Sequence, residues 1–474
     1  MNHRQGLDRS QTLLFPERLE DYIAPENPVR FLDAFIAQQD LHALGFTKAC
    51  CADTGRPPYD PAMLAKLYLY GYLHRVRSSR RLEAECQRNV EVIWLTGKQT
   101  PDFKTIADFR KDNLQALRNV NRQFTLLCRK LELFGGELLA IDGSKFAAVN
   151  ARDQNFNADK LKDLIARADA HLAEYLQQLD TADAAEPATA SLSKSELAAK
   201  IARLQERKDW HTELLAQLDA EQKQVSLTDP DTRKMPTAHG TVVGYNAQIA
   251  VDAKHKLIAA DEVTNEVTDL RQLADVALSA RENLAIKNAE VLADTGYYNA
   301  SEVSRCLDAG LTPYVPKADT SANTAQGLYG KSKFSYDEQK DEYVCPAGKS
   351  LNYRFSTFEL GREIKYYRAK ACQVCALRSR CTRNKNNRTI TREANEHLME
   401  AMAQRMKDQP DKYKLRKQLA EHPFGTIKRT LGYTHFLLKG LAKVRCEWSL
   451  TTLAYNLKRV LHLVSFAKLM AAVG

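Results

Sequence analysis

The spacing of apolar residues changes at Gly135-Gly136, and that change constrains the fold of the whole chain. Upstream, apolar side chains recur every three or four residues. Pro61 opens a run in which Leu64, Leu67, Tyr68 and Gly71 share a face, so a helix with proline in its first turn is expected. Ser78-Ser79 can cap a further helix through Leu82 and Cys86, and Asp102 or Thr105 another. Downstream, apolar runs of strand length appear. Glu137-Leu-Leu-Ala-Ile-Asp142 and Ala289-Glu-Val-Leu-Ala-Asp294 each end in an acid. Tyr245–Asp252 and Lys256–Val263 read as antiparallel neighbours, Pro313–Pro316 as a further short strand and Leu270–Ala285 as a helix. The pattern predicts a helical N-terminal domain at 1–134 and a mixed α/β domain at 135–474.

Two segments interrupt the second domain. Leu161, Ile165, Ala168, Leu172, Tyr175 and Leu179, then Leu197, Ile201, Leu204, Lys208, His211, Leu215 and Leu218, follow helical spacing on either side of the Thr181–Ala190 linker. An antiparallel helical hairpin inserted at 157–222 is expected, serving as a structural arm or dimer contact. The second interruption, 335–385, is rich in cysteine.

The chain has 474 residues, more than one core usually organises. No apolar run is long enough for a membrane helix, and the basic N-terminus, which lacks an apolar core, is not expected to act as a secretory signal. Ten cysteines, several unclustered, suit a reducing cytoplasm better than a disulfide scaffold. Of the net charge of +10, residues 361–474 hold 24 Lys and Arg against 8 Asp and Glu, a local balance of +16, leaving −6 for the rest. Such asymmetry favours a polyanionic partner, nucleic acid above all, though a solvated basic face fits the charge equally well. Arg75, Arg77, Arg80, Arg81 and Arg88 form a smaller basic group in the helical domain, open to the same two readings.

A carboxylate at the end of a strand is rigidly held yet open to solvent, which suits metal binding, although a single such Asp is most often a turn residue. Asp142 and Asp294 are the two candidates, and Glu421 is a third, in the run Tyr413–Lys428 with Arg416. A helix through that run would bring Arg416, Glu421 and Lys428 toward one groove, with Pro423 kinking or restarting it; an exposed charged helix is the plainer reading. Separately, Cys345, Cys372, Cys375 and Cys381 include one CxxC pair and number the four thiolates of a closed tetrahedral zinc site. Redox chemistry or unliganded thiols are the alternatives. Cys50, Cys51, Cys86, Cys128, Cys306 and Cys446 read as core or incidental residues.

In their order, these strings resemble one family. Gly55-Arg-Pro-Pro-Tyr-Asp-Pro61, Leu69-Tyr-Gly-Tyr72, Ser78-Ser-Arg80, Leu82-Glu83, Trp94-Leu95-x-Gly97 and Pro101-Asp-Phe-x-Thr-Ile-x-x-Phe-Arg110 are followed by Asp142-Gly-Ser-Lys145, Asp229-Pro-Asp231, Gly244-Tyr-Asn-Ala-Gln248, Ala293-Asp-Thr-Gly-Tyr297, Glu421-x-x-Phe-Gly-x-x-Lys428 and Trp448–Arg459. The chain is similar over nearly its whole length to bacterial insertion-sequence transposases of the DDE class.

That resemblance implies an RNase H-like mixed-sheet core and a zinc-ribbon-like cysteine insertion. It implies a catalytic, metal-binding triad of Asp142, Asp294 and Glu421 using two Mg²⁺ or Mn²⁺ ions. Asp252, Asp261, Glu262 and Asp269 match the second catalytic Asp less well than Asp294 does. Tyr413, Arg416, Lys428 and Arg429 would contact DNA, with Arg416 farther from Glu421 than the family's tightest motif has it. The implied function is cleavage at terminal inverted repeats of double-stranded DNA and strand transfer into target DNA, as a homodimer or larger assembly in the bacterial cytoplasm, associated with the nucleoid and no membrane. A non-catalytic regulator descended from a transposase, or a metal-dependent nuclease without strand transfer, are the alternatives.

Overall fold

The computed structural model describes residues 18–50, 57–150, 154–184, 194–218, 224–237, 240–317, 322–359, 362–370 and 372–474. Gly55, Arg56, Cys51, the first ten residues, the side chain of Leu179 and the linker from residue 185 lie outside them.

Six helices come first: α1 (Pro28–Ala37), α2 (Pro61–Leu73), α3 (Ser79–Arg88), α4 (Val90–Thr96), α5 (Phe103–Asp112) and α6 (Leu114–Lys130). Their starts follow the sequence signals. The Asp60 carboxylate accepts from the Ala62 N–H ahead of Pro61, and Asp102, rather than Thr105, caps α5 through the N–H groups of Lys104 and Thr105. Ser78 stands at the N-cap of α3, but its hydroxyl makes no capping bond.

The second region runs β1 (Leu138–Ala147), β2 (Asn155–Asn157), α7 (Ala158–Ala184), α8 (Lys194–Ala216), β3 (Gln224–Ser226), β4 (Arg233–Thr237), β5 (Gly240–Asp252), β6 (Ile258–Thr264), α9 (Leu273–Leu284), β7 (Ala289–Leu292), α10 (Ala300–Asp308) and β8 (Leu311–Tyr314). The main sheet has the order β6-β5-β1-β7-β8, with β4 also on β5. The links β6-β5-β1 are antiparallel and β1-β7-β8 parallel, so the architecture is mixed α/β. Both β1 and β5 extend beyond their apolar stretches, because they pair continuously from Leu139↔Asp252 to Ala147↔Gly244. Asp142 therefore lies in mid-strand rather than at the strand end anticipated from the apolar run.

Side chains alternate across β1. Leu139 and Ile141 pack with α9 and α10 on one face. Ala140 packs on Leu419 and Ala420, and Phe146 joins the cluster formed by the N-terminal helices and a long C-terminal helix, on the other. The helices α7 and α8 pack together, fastened by Lys208 and Asp169 at 2.6 Å, and their base is the Phe156, Leu161, Leu214 and Val225 cluster.

Residues 322–393, which include the cysteine-rich segment and run beyond it at both ends, form the short helices α11 (Ala322–Ala325) and α12 (Arg378–Cys381) and a second, fully antiparallel sheet. Its strands, in spatial order, are β13 (Thr389–Glu393), β12 (Arg362–Ala369), β11 (Ser350–Glu359), β10 (Glu342–Val344) and β9 (Ser335–Asp337). Four helices end the chain: α13 (Glu396–Asp408), α14 (Pro410–Gly425), α15 (Leu441–Leu463) and α16 (Phe466–Ala472). The α14 helix runs through Pro423 without breaking, and a π-helical turn at Thr426–Thr430 absorbs the irregularity. Among the described residues, no helix is long and apolar enough to cross a membrane.

Candidate active site

The parallel register Ala140↔Leu292 sets Asp142 level with Asp294, each two residues further along its chain. Asp294 follows the end of β7 and accepts from the Gly296 N–H at 2.8 Å, capping a 3-10 turn. Asp142 accepts from the Gly143 N–H at 3.0 Å. Burial pushes the Asp142 carboxyl up to about 6; the Arg416 guanidinium, 3.7 Å away, opposes that rise, and Asp294 adds to it.

The α14 helix delivers the cations. Its Leu419 and Ala420 pack on Ala140, which turns Arg416 toward Asp142. Burial raises the Tyr413 hydroxyl, with Arg416 opposing and Asp294 adding, so Tyr413 stands in the same field. From the π-helical turn, Lys428 donates to Ser144 Oγ at 2.6 Å and lies over the Phe146 ring. Its own charge is disfavoured by burial and supported by Asp142.

Glu421 is different. Five residues separate it from Arg416, about 140° around a helix of 3.6 residues per turn, and it is exposed. Among the described residues, no hydrogen bond or ion pair ties its carboxylate to the other acids. Arg429 is also exposed. Among the described residues, no three His, Cys, Asp or Glu side chains stand as a ready-made metal cage. The donors at Asp142 and Asp294 are hard oxygens, which fit Mg²⁺ or Mn²⁺ better than a soft metal.

The competing acids separate cleanly. Asp252 accepts from the N–H groups of Gly135, Gly136 and Lys254 and fixes the start of β1. Asp261 accepts from Asn121 of α6, and Glu262 pairs with Arg118 and Arg445. Asp269 alone among them reaches the site. Its Oδ1 accepts from Lys145 at 3.1 Å, Asn246 at 2.6 Å and Gln248 at 2.7 Å. Buried Tyr297 donates to the other end of the Gln248 amide. A methyl group on Gly143 would lie 2.3 Å from Gln248 Nε2 and 2.9 Å from Asp269 Oδ1, so this close approach requires glycine. Asn246 and Lys145 are neighbours of the site that sequence reasoning passed over, and Asp269 was weighed there only as a rival to Asp294. Their only signal was that Asn246, Gln248 and Lys145 fall inside the ordered strings.

Much of the basic charge has structural employment. Arg77 is buried, donates to Glu447 at 3.1 Å and stacks on Tyr433, so it is neither a DNA contact nor a solvated residue. Arg392 grips Glu400, Arg445 pairs with Glu262, and α15 is a core helix. Asp229 and Asp231 receive the N–H groups of Gly440 and Leu441 at the start of that helix.

Cys345, Cys372, Cys375 and Cys381 line one small cavity of about 30 Å³. The N–H groups of Lys349 and Arg388 donate to the sulfurs of Cys345 and Cys372 at 3.4 Å. All four thiols are free, Cys86, Cys128, Cys306 and Cys446 are buried, and Cys50 is exposed.

Residues 344–461 match the family model of a transposase DDE domain, and residues 17–112 that of a transposase domain, DUF772. These two matches indicate an insertion-sequence DDE transposase. The first match includes all four clustered cysteines, Glu421 and Lys428; Asp142 and Asp294 precede it. No curated protein matches the transposase. A solved structure with detectable similarity is that of the piggyBac transposase synaptic complex with hairpin DNA, at 9% identity over 94% of this chain and 79% of that one, with a TM-score of 0.31. So distant a likeness carries no argument about this transposase.

Proposed function

We propose that this DNA transposase cuts the ends of its element and joins the freed 3′-hydroxyls to target DNA at one centre built on Asp142, Asp294 and Glu421. The observation that carries the reading is the level placement of Asp142 and Asp294 on parallel neighbouring strands, with Arg416, Lys428 and Tyr413 brought against them. The strand order, third-second-first-fourth-fifth along the chain, supports an RNase H-like core.

Asp142 and Asp294 would hold divalent ions, and Glu421 would complete the donor set from α14. Bound Mg²⁺ or Mn²⁺ supplies activation of the attacking oxygen and offsets charge on the leaving one. The chain's own residues do the rest. Arg416 and Lys428 hold the backbone beside the scissile phosphate electrostatically, and Arg429 extends that contact along the DNA. Asp269, clamped by its three donors, keeps Lys145 and Gln248 fixed beneath the acids.

Residues 1–134 are read as the unit that binds the inverted repeats, and the hairpin at 157–222 as an arm between the two copies that pairing of element ends calls for. The four cysteines are read as a structural zinc site at 335–385. Their shared cavity and the N–H donors to two sulfurs support this, since thiolate ligands are commonly steadied in that way. The protein acts on double-stranded DNA in the cytoplasm, at the nucleoid.

The test is a plasmid carrying both element ends, incubated with and without Mg²⁺ or Mn²⁺. Asp142→Asn and Asp294→Asn should still bind and should each lose cleavage by on the order of 10³-fold or more. Cleavage that survives either substitution would remove that acid from the centre. A nuclease that stops at cleavage uses the same residues, and strand-transfer products on a target plasmid separate the two readings.

A further inference from the structure

The second sheet ends in a ribbon that neither the acids nor the cysteines employ. The β10 strand pairs with β11 only as far as Asn352, and β13 pairs with β12 only over Ile364–Arg368. Past Asn352, β11 has β12 alone beside it, and the two strands carry aromatic side chains into solvent. Tyr353 and Phe355 are each 45% exposed and Phe358 is 80% exposed. Phe355 stacks on Tyr366 with centroids 4.7 Å apart and rings 12° from parallel. The register shifts between Tyr353 and Phe355, a bulge that frees Arg354 from the ladder. Residues 350–370 contain five Lys and Arg against two Glu, a balance of +3.

The ribbon is also aimed. Ile364 lies two residues from Tyr366, and Thr391 pairs directly with Tyr366, so both belong to the face that carries the stacked rings. They line a groove of about 680 Å³ that also takes in Tyr298, four residues past Asp294, and where Arg271, Lys317 and Lys331 stand against Glu302, Glu393 and Glu396, Lys331 pairing with Glu396 at 2.9 Å. Arg392 on Glu400, through two bonds of 2.7 and 2.9 Å, fixes the ribbon's base to α13. A groove of balanced charge thus runs between the Asp294 turn and an exposed aromatic stack, and the net positive charge lies on the ribbon itself.

Solvated aromatic rings offer a nucleic-acid base a flat apolar face, and a ribbon of net positive charge draws the backbone that carries the base, although the Tyr366 hydroxyl itself donates to Glu359. Bases within a duplex are already stacked on their neighbours, so the gain falls to unpaired ones. We propose that the β11–β12 ribbon is a stacking platform for unpaired bases of the DNA strand that leaves the Asp142–Asp294 site along this groove. The inference rests on the acids being the cutting centre.

The full-length protein would be titrated against a labelled duplex of arbitrary sequence, either blunt or carrying a short single-stranded thymidine tail. The wild type is expected to bind the tailed duplex roughly tenfold or more tightly than the blunt one, since stacking contributes about 1–3 kcal/mol per base. The double variant Phe355→Ser/Tyr366→Ser should bring the tailed duplex down to the blunt value and leave the blunt value unchanged. Phe355→Trp, which keeps a stacking face, should retain the preference. Equal wild-type affinity for the two duplexes overturns the proposal. So does a double variant that weakens both equally, or one that converts an oligomer to monomer, since the rings would then be covering a second copy. Failure of the wild type to bind even the blunt duplex would sink the ribbon together with the DNA reading of the whole site.

Discussion

Two groups of carboxylates lie within the same fold, and they are treated in opposite ways. Glu447, fully buried, accepts from Arg77 and from the N–H groups of Leu437 and Leu438. Asp252 takes three backbone N–H groups, and Asp229 takes the Tyr245 hydroxyl and the Gly440 N–H. Every oxygen in this group has an internal donor. Asp142 and Asp294 instead receive one backbone bond each, from Gly143 and Gly296, and remain partly exposed, with the Arg416 guanidinium 3.7 Å from Asp142. An acid that holds a fold together is saturated with donors. An acid kept for chemistry retains oxygen lone pairs for something else.

The contrast can be broken from either side. The largest effect on stability should come from Glu447→Ala, which strands Arg77 in the interior and should cost about 3–5 kcal/mol. Chemical denaturation measures it, against Asp142→Asn, whose unfolding midpoint should stay near wild type. A large loss of stability in Asp142→Asn would place that acid with the structural group. Next in size, Arg416→Ala and Lys428→Ala should each slow end cleavage by roughly ten- to hundredfold through lost charge-assisted contacts. Each should also flatten the salt dependence of DNA binding by about one unit of slope. An unchanged slope in both variants would mean neither touches phosphate.

The smallest effect concerns Asp261, which sits between the two groups. Burial pushes its carboxyl up to about 6, with Arg118 opposing. An unfolded aspartate titrates near 3.9, so the folded protein binds the extra proton between those values and stability falls as pH rises from about 4 to about 6. Above that window the charged form burdens the fold. Asp261→Asn should therefore raise Tm by a few degrees at pH 8, the gain shrinking toward pH 4. An equal gain at both pH values would show that the carboxyl's charge is not the cause.

What could be read from the sequence was whatever local spacing encodes. The helices opened by Asp60-Pro61 and Asp102, the inserted hairpin and the apolar strands all announce themselves within a dozen residues of chain. Asp142 was identifiable as an acid beside an apolar run, but its mid-strand position depends on how far β5 continues to pair with it. The burial of Arg77 was illegible because its partner lies 370 residues away. Asp269 was ranked below Asp294 for a similar reason, since its donors come from two different strands, β1 and β5, and its loop carries no pattern of its own. Glu421 shows the converse. Its motif was plain in the sequence, yet helix geometry turns it away from the face that carries Arg416.

In the proposed mechanism Glu421, and not the nearer Asp269, completes the set begun by Asp142 and Asp294. The direct measurement is Mg²⁺-dependent end cleavage by Glu421→Gln and Asp269→Asn, each first shown to bind the element ends as wild type does. Glu421→Gln is expected to abolish cleavage, while Asp269→Asn slows it and leaves it detectable. Cleavage retained in Glu421→Gln and abolished in Asp269→Asn would contradict it and hand the third position to Asp269.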